Sequence, residues 1–113
     1  DQSPVERMAE VRELLLNVSK MRDVPLVDFH QHLIEHEIAD DRKSSVIRNV
    51  ANGGGKDGVH LTPQGYKLLA GLIAKKLKSS GLPTSRVVCF GDSLTKGSAT
   101  ANYPEYLKAT LSR

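Results

Sequence analysis

The run SRVVCF, Ser85–Phe90, limits what this chain can fold into more than any other feature. It is short, continuous and apolar, the pattern of a strand buried on both faces of a parallel sheet. A second run, DVPLVDF, carries Val24, Leu26 and Val27 and reads as a strand over Val24–Asp28, with Asp28 at its carboxyl end. Helical patterns precede and separate the two. Such alternation predicts an α/β architecture built on a parallel sheet.

The helical segments carry their own start and stop signals. In SPVERMAEVRELLLNVSKM, Ser3 is placed to cap, Pro4 suits the first helical position and Glu6 completes a capping box. Val5, Met8, Val11, Leu15 and Val18 then form one apolar face. HQHLIEHEI predicts a short helix. ADDRKSSVIRNVANGGGKDG is polar and rich in glycine, so it reads as a long surface loop, and loops of that length are often functional. In LTPQGYKLLAGLIAKKLKSSG, Thr62 caps, Pro63 starts, and Leu68, Leu69, Leu72, Ile73 and Leu77 are expected as the buried stripe. Gly81 and Pro83 end that helix. NYPEYLKATL predicts a last helix.

Composition narrows the functional classes. At 113 residues the chain suits one small domain or a piece of a larger one. Its net charge of +3 is too weak to argue for nucleic acid. Lys75, Lys76 and Lys78 lie at a helix end, where they complement the dipole and repel anions. The single cysteine, Cys89, forms no intrachain disulfide and leaves the compartment open; an extracellular or periplasmic location is compatible with it. No stretch approaches the ~20 apolar residues of a membrane span, and no signal-peptide pattern is present. The first residue is Asp1, as expected of a mature product or a fragment.

Two short motifs carry chemistry. In VVCFGDSLTKG, Ser93 follows the apolar run at the place where parallel sheets bind ligands. Gly91 permits a tight turn there. A serine hydroxyl needs a base to become a nucleophile. In KDGVHLTPQGY, Asp57 and His60 are three apart in a loop just before a helix. Histidine is the natural base near neutral pH, and a carboxylate on its other nitrogen sets the tautomer. Each motif alone is ordinary turn chemistry, since Asp and Ser favour turns. Of His30, His32 and His36, two share a helical face at four-residue spacing, but no Cys or third clustered ligand joins them, so all three read as surface histidines and no metal or cofactor is expected.

Together, FGDSLTKG and DGVHLTPQGYKLLA resemble the first and last blocks of the SGNH, or GDSL-type, esterase and acylhydrolase family. The resemblance implies a Ser93–His60–Asp57 triad acting on an acyl ester, such as an O-acetyl, short-chain or carbohydrate ester. It implies an oxyanion site at the turn of Gly91, Asp92 and Ser93, using the Ser93 backbone N–H. It also implies a flavodoxin-like, three-layer α/β/α parallel sheet.

The blocks stand in reversed order, with Asp57 and His60 ahead of Ser93. A triad is defined by geometry, so the order is that of a permuted, split or tandem-junction chain. Residues 1–82 correspond to the family's C-terminal half and residues 83–113 to its N-terminal segment, together one partial domain. The middle blocks, with the Gly and Asn that also donate to the oxyanion, have no counterpart; Asn49 and Asn52 match neither. Two separated strands do not make a stable domain. A complementary polypeptide is therefore expected to supply the missing strands and donors. The alternatives are a non-catalytic fragment or binding module of the same fold, and a small α/β interaction domain in which both motifs are coincidental.

Overall fold

The computed structural model describes residues 2–36 and 41–113. The end of the predicted HQHLIEHEI helix, at residues 37 and 38, lies outside the described residues. The order of elements is α1 (Pro4–Arg22), α2 (Phe29–Glu35), α3 (Pro63–Ser79), α4 (Ser93–Lys96) and α5 (Tyr103–Leu111).

Local chemistry starts and stops these helices. Ser3 and Glu6 form the reciprocal capping box at α1, with Pro4 in the first turn. Asp23 ends α1 in the left-handed region, at φ 50°. The Asp28 side chain caps α2 by accepting from the Gln31 N–H, and Arg12 holds the other carboxylate oxygen at 2.6 Å. Thr62 caps α3 by accepting from the Gly65 N–H. Gly81, at φ 66°, supplies the left-handed residue just beyond the end of α3. Asn102 caps α5.

The expected three-layer parallel sheet is not formed. Of the described residues, 52% are helical and 2% are in strand, and the latter are one antiparallel bridge between Ile47 and Leu61. The two apolar runs form no ladder, for identifiable reasons. Over Val24–Asp28, the Val24 N–H turns back to the Ser19 carbonyl, Pro25 has no N–H and Asp28 is committed as a helix cap. Over Arg86–Phe90 no neighbouring strand lies within reach, and no backbone hydrogen bond forms among the described residues. Val88 is 80% exposed and Phe90 97%. Both runs carry strand-type side chains, but a strand exists only as part of a ladder.

Without a sheet, burial concentrates where α3 meets α5. Ala70, Ala74 and Leu107 are the centre of that contact, flanked by Ile73, Cys89, Tyr103, Tyr106 and Leu111. The buried residues of α3 are Gly65, Tyr66, Ala70 and Ala74, and the two alanines are where α5 packs. The expected leucine stripe is only half-buried, since no second layer covers it. No residue of α1 is buried, and its apolar face stays in solvent.

Candidate active site

Asp57 and His60 sit on a tight loop that leads into α3. One Asp57 carboxylate oxygen accepts the Val59 N–H at 2.8 Å and the His60 N–H at 2.7 Å. This is an Asx turn, which folds the loop back on its own aspartate. The imidazole Nδ1 then lies 3.2 Å from that oxygen and 3.1 Å from the second one. With Nδ1–H donating to the carboxylate, Nε2 is left as an acceptor.

That acceptor faces Ser93. His60 Nε2 and Ser93 Oγ are 3.0 Å apart across 33 positions of sequence. Ser93 opens the single turn α4, which Asp92 caps by accepting the Leu94 N–H at 3.0 Å. A Cβ at Gly91 would overlap the Thr95 hydroxyl, so the turn needs glycine for close approach. Thr95 Oγ1 is in turn 3.3 Å from the Tyr103 hydroxyl on α5. Gly97 adopts φ 54°, and a Cβ there would run into the Ala101 carbonyl. The Ser93 turn is therefore braced against α5, α5 packs on α3, and α3 begins three residues after His60. This succession of contacts brings serine and histidine together.

The loop at residues 45–54 braces the other side of the histidine. The Arg48 N–H donates to the His60 carbonyl, the Thr62 N–H to the Val46 carbonyl and the Gly58 N–H to the Arg48 carbonyl, each at 2.8 Å. Asn49 and Asn52 lock this loop by hydrogen-bonding to one another's backbone N–H. Neither asparagine matches a family block, so sequence alone gives them no role. Their spacing ahead of a glycine-rich turn was the available signal, because asparagines there favour Asx turns.

Charge is distributed as the geometry requires. Hydrogen bonds from the His60 and Val59 N–H groups, reinforced by the His60 ring, hold the Asp57 carboxyl below the ordinary aspartate value. It stays ionised wherever histidine works as a base. Tyr66, 3% exposed in the first turns of α3, has its phenol pushed up by burial.

The site is open. Ser93 is exposed, and the His60 side chain retains 37% of its accessible surface. Among the described residues nothing accepts from the Ser93 backbone N–H, which leaves it as a donor beside Oγ. Lys96, at the end of α4, is exposed, and Thr95 beside it is half-buried. His32 and His36 stack with ring centroids 4.1 Å apart, and no group of three metal-ligating side chains occurs among the described residues. No helix among the described residues is long and apolar enough to cross a membrane. Comparisons with protein-family models, curated proteins and solved structures find no match.

Proposed function

We propose that the protein is a serine ester hydrolase of the SGNH type, with Ser93 as nucleophile, His60 as general base and acid, and Asp57 as orienting carboxylate. One observation carries the reading. A single imidazole bridges a hydroxyl at 3.0 Å and a carboxylate at 3.1 Å, with the two partners drawn from separate segments. Ordinary turn chemistry accounts for the Asp57–His60 pair but not for a serine on the opposite nitrogen.

The chemistry follows from the atoms. Ser93 Oγ bonds to the acyl carbon as its proton passes to His60 Nε2. The carbonyl oxygen takes the negative charge and is met by the Ser93 N–H. The carbon–oxygen bond to the alcohol then breaks, and His60 returns the proton to the departing oxygen. Water repeats the sequence on the acyl-serine and releases the acid. Asp57 stays ionised and stabilises the imidazolium throughout.

A complementary chain completes the site by supplying two further oxyanion donors, a glycine N–H and an asparagine amide. Two features support this part. The Arg86–Phe90 backbone has no hydrogen-bond partner among the described residues. A groove of about 900 Å3 runs between that segment and α5, lined by Arg86, Cys89, Leu107 and Leu111.

A fluorophosphonate probe tests the reading on the native protein. Labelling should map to Ser93 and vanish in Ser93→Ala. No adduct at Ser93 would leave a non-catalytic binding module and overturn the hydrolase. Native mass spectrometry of the same sample should reveal a second chain, and a lone 12.4 kDa species that still turns over ester would remove the partner from the proposal.

A further inference from the structure

We propose that Asn49 and Asn52 are positioning residues for His60, acting through the backbone of the loop they lock. The inference rests on His60 being the base, and extends that reading by naming what sets the base in place.

The two carboxamides are used almost to capacity. Asn52 Oδ1 accepts the Asn49 N–H at 2.9 Å and the Gly54 N–H at 3.2 Å, while Nδ2 donates to the Ile47 carbonyl at 2.8 Å and the Ser45 carbonyl at 3.3 Å. Asn49 Oδ1 accepts the Asn52 N–H at 3.0 Å, and Nδ2 donates to the Arg42 carbonyl at 2.9 Å and the Ile47 carbonyl at 3.1 Å. Both amides therefore converge on the Ile47 carbonyl. Asn49 is 8% exposed, so its polar atoms are held by partners where water is scarce.

Ile47 is the residue bridged to Leu61, and its neighbours Val46 and Arg48 pair with Thr62 and His60. The clasp thus fixes a three-residue rib, and the rib fixes the main chain of His60 on both sides. The Asx turn at Asp57 sets the imidazole relative to the carboxylate but leaves the whole base loop free to swing relative to Ser93. The rib limits that freedom by tying the loop to the start of α3, where the Val46 carbonyl lies 2.5 Å from the position a Gly65 Cβ would take. Gly54 fits the arrangement, because a Cβ there would lie 2.9 Å from Asn49 N and 2.6 Å from Arg48 Cβ. Asparagine is required at position 52 because it supplies an acceptor and a two-proton donor on one short, stiff arm. Aspartate would set a carboxylate oxygen against two carbonyls.

The test combines kinetics with a signal that does not depend on turnover. In Asn52→Ala and Asn52→Asp, kcat should fall by about 10²-fold, the cost of a misplaced catalytic group, while KM stays close to the parent value. The low-field proton resonance of the His60 Nδ1–H should broaden or move in both variants. A merely structural clasp would lower the thermal midpoint and leave kcat and the resonance alone, and that result overturns the proposal. A variant that fails to fold does not end the test. In the native protein the Arg48, Thr62, Gly54 and Asn52 amides should exchange with solvent as one protected unit, and an Arg48 amide exchanging freely refutes the rib. If the parent shows no turnover while the resonance still responds to Asn52, the hydrolase reading fails and the positioning inference survives.

Discussion

Replacing Asp57 by asparagine isolates one hydrogen bond of the site. The amide oxygen of the new side chain can still accept the Val59 and His60 N–H groups now made at 2.8 and 2.7 Å, so the loop keeps its turn. The change falls on the second oxygen, which lies 3.1 Å from His60 Nδ1. An NH2 group in that place confronts a ring N–H with a donor. The imidazole answers by moving its proton to Nε2, where Nδ1 becomes the acceptor. Nε2–H then points at Ser93 Oγ, 3.0 Å away, and cannot take its proton. Loss of the correct tautomer is worth roughly 10⁴ in kcat, or about 5 kcal/mol of barrier. The assay is p-nitrophenyl acetate hydrolysis by the native protein near neutral pH, alongside the rate of fluorophosphonate labelling, with circular dichroism to show an unchanged helical content. An Asp57→Asn variant within about tenfold of the parent, a barrier change under about 1.4 kcal/mol, would refute the triad.

Other outcomes follow from the same geometry. Ser93→Ala should abolish hydrolysis and labelling with no shift in thermal midpoint, because the hydroxyl is exposed; residual turnover at the parent rate would remove Ser93 as nucleophile. Leu107→Ala should cost about 2–5 kcal/mol in urea denaturation, since Leu107 is 2% exposed at the α3–α5 contact, and labelling should slow as α5 loosens. A loss below about 1 kcal/mol would show that this contact is not the core. The depressed Asp57 carboxyl contributes stability that is complete above its unfolded value and lost as pH falls through the lower, folded one. The urea stability of the parent relative to Asp57→Asn should therefore hold steady from neutral to mildly acidic pH and decline below the ordinary carboxylate range. A difference that stays constant through acid contradicts the shift.

The parts legible from sequence are those whose causes are local. Ser3 and Glu6, Thr62 and Pro63, and Gly81 announced their helix ends because capping partners lie within one turn of each other. Asp57 and His60 could be paired for the same reason, being three residues apart. The strand assignments at Val24–Asp28 and Arg86–Phe90 failed because side-chain composition says only that a segment suits a ladder. Whether a neighbour exists is a property of the whole assembly, and here Pro25, the cap at Asp28 and an unpaired Arg86–Phe90 edge decide against it. The leucine stripe of α3 misled in a related way, since hydrophobicity marks what should be covered but not what arrives to cover it.

The distinction runs through the site itself. Residue identity and short spacing determined the chemistry on offer, a hydroxyl on a glycine-bounded turn and an imidazole beside a carboxylate. Their meeting was decided only in three dimensions. Ala70 and Ala74 let α5 approach α3, Tyr103 and Thr95 tie the Ser93 turn to α5, and the Asn49–Asn52 clasp orders the loop whose Arg48 N–H donates to the His60 carbonyl. The packing of α5 on α3 and the approach of Ser93 to His60 join residues distant in sequence. A local pattern cannot encode such a contact, because the free energy that makes it is shared among many packed groups.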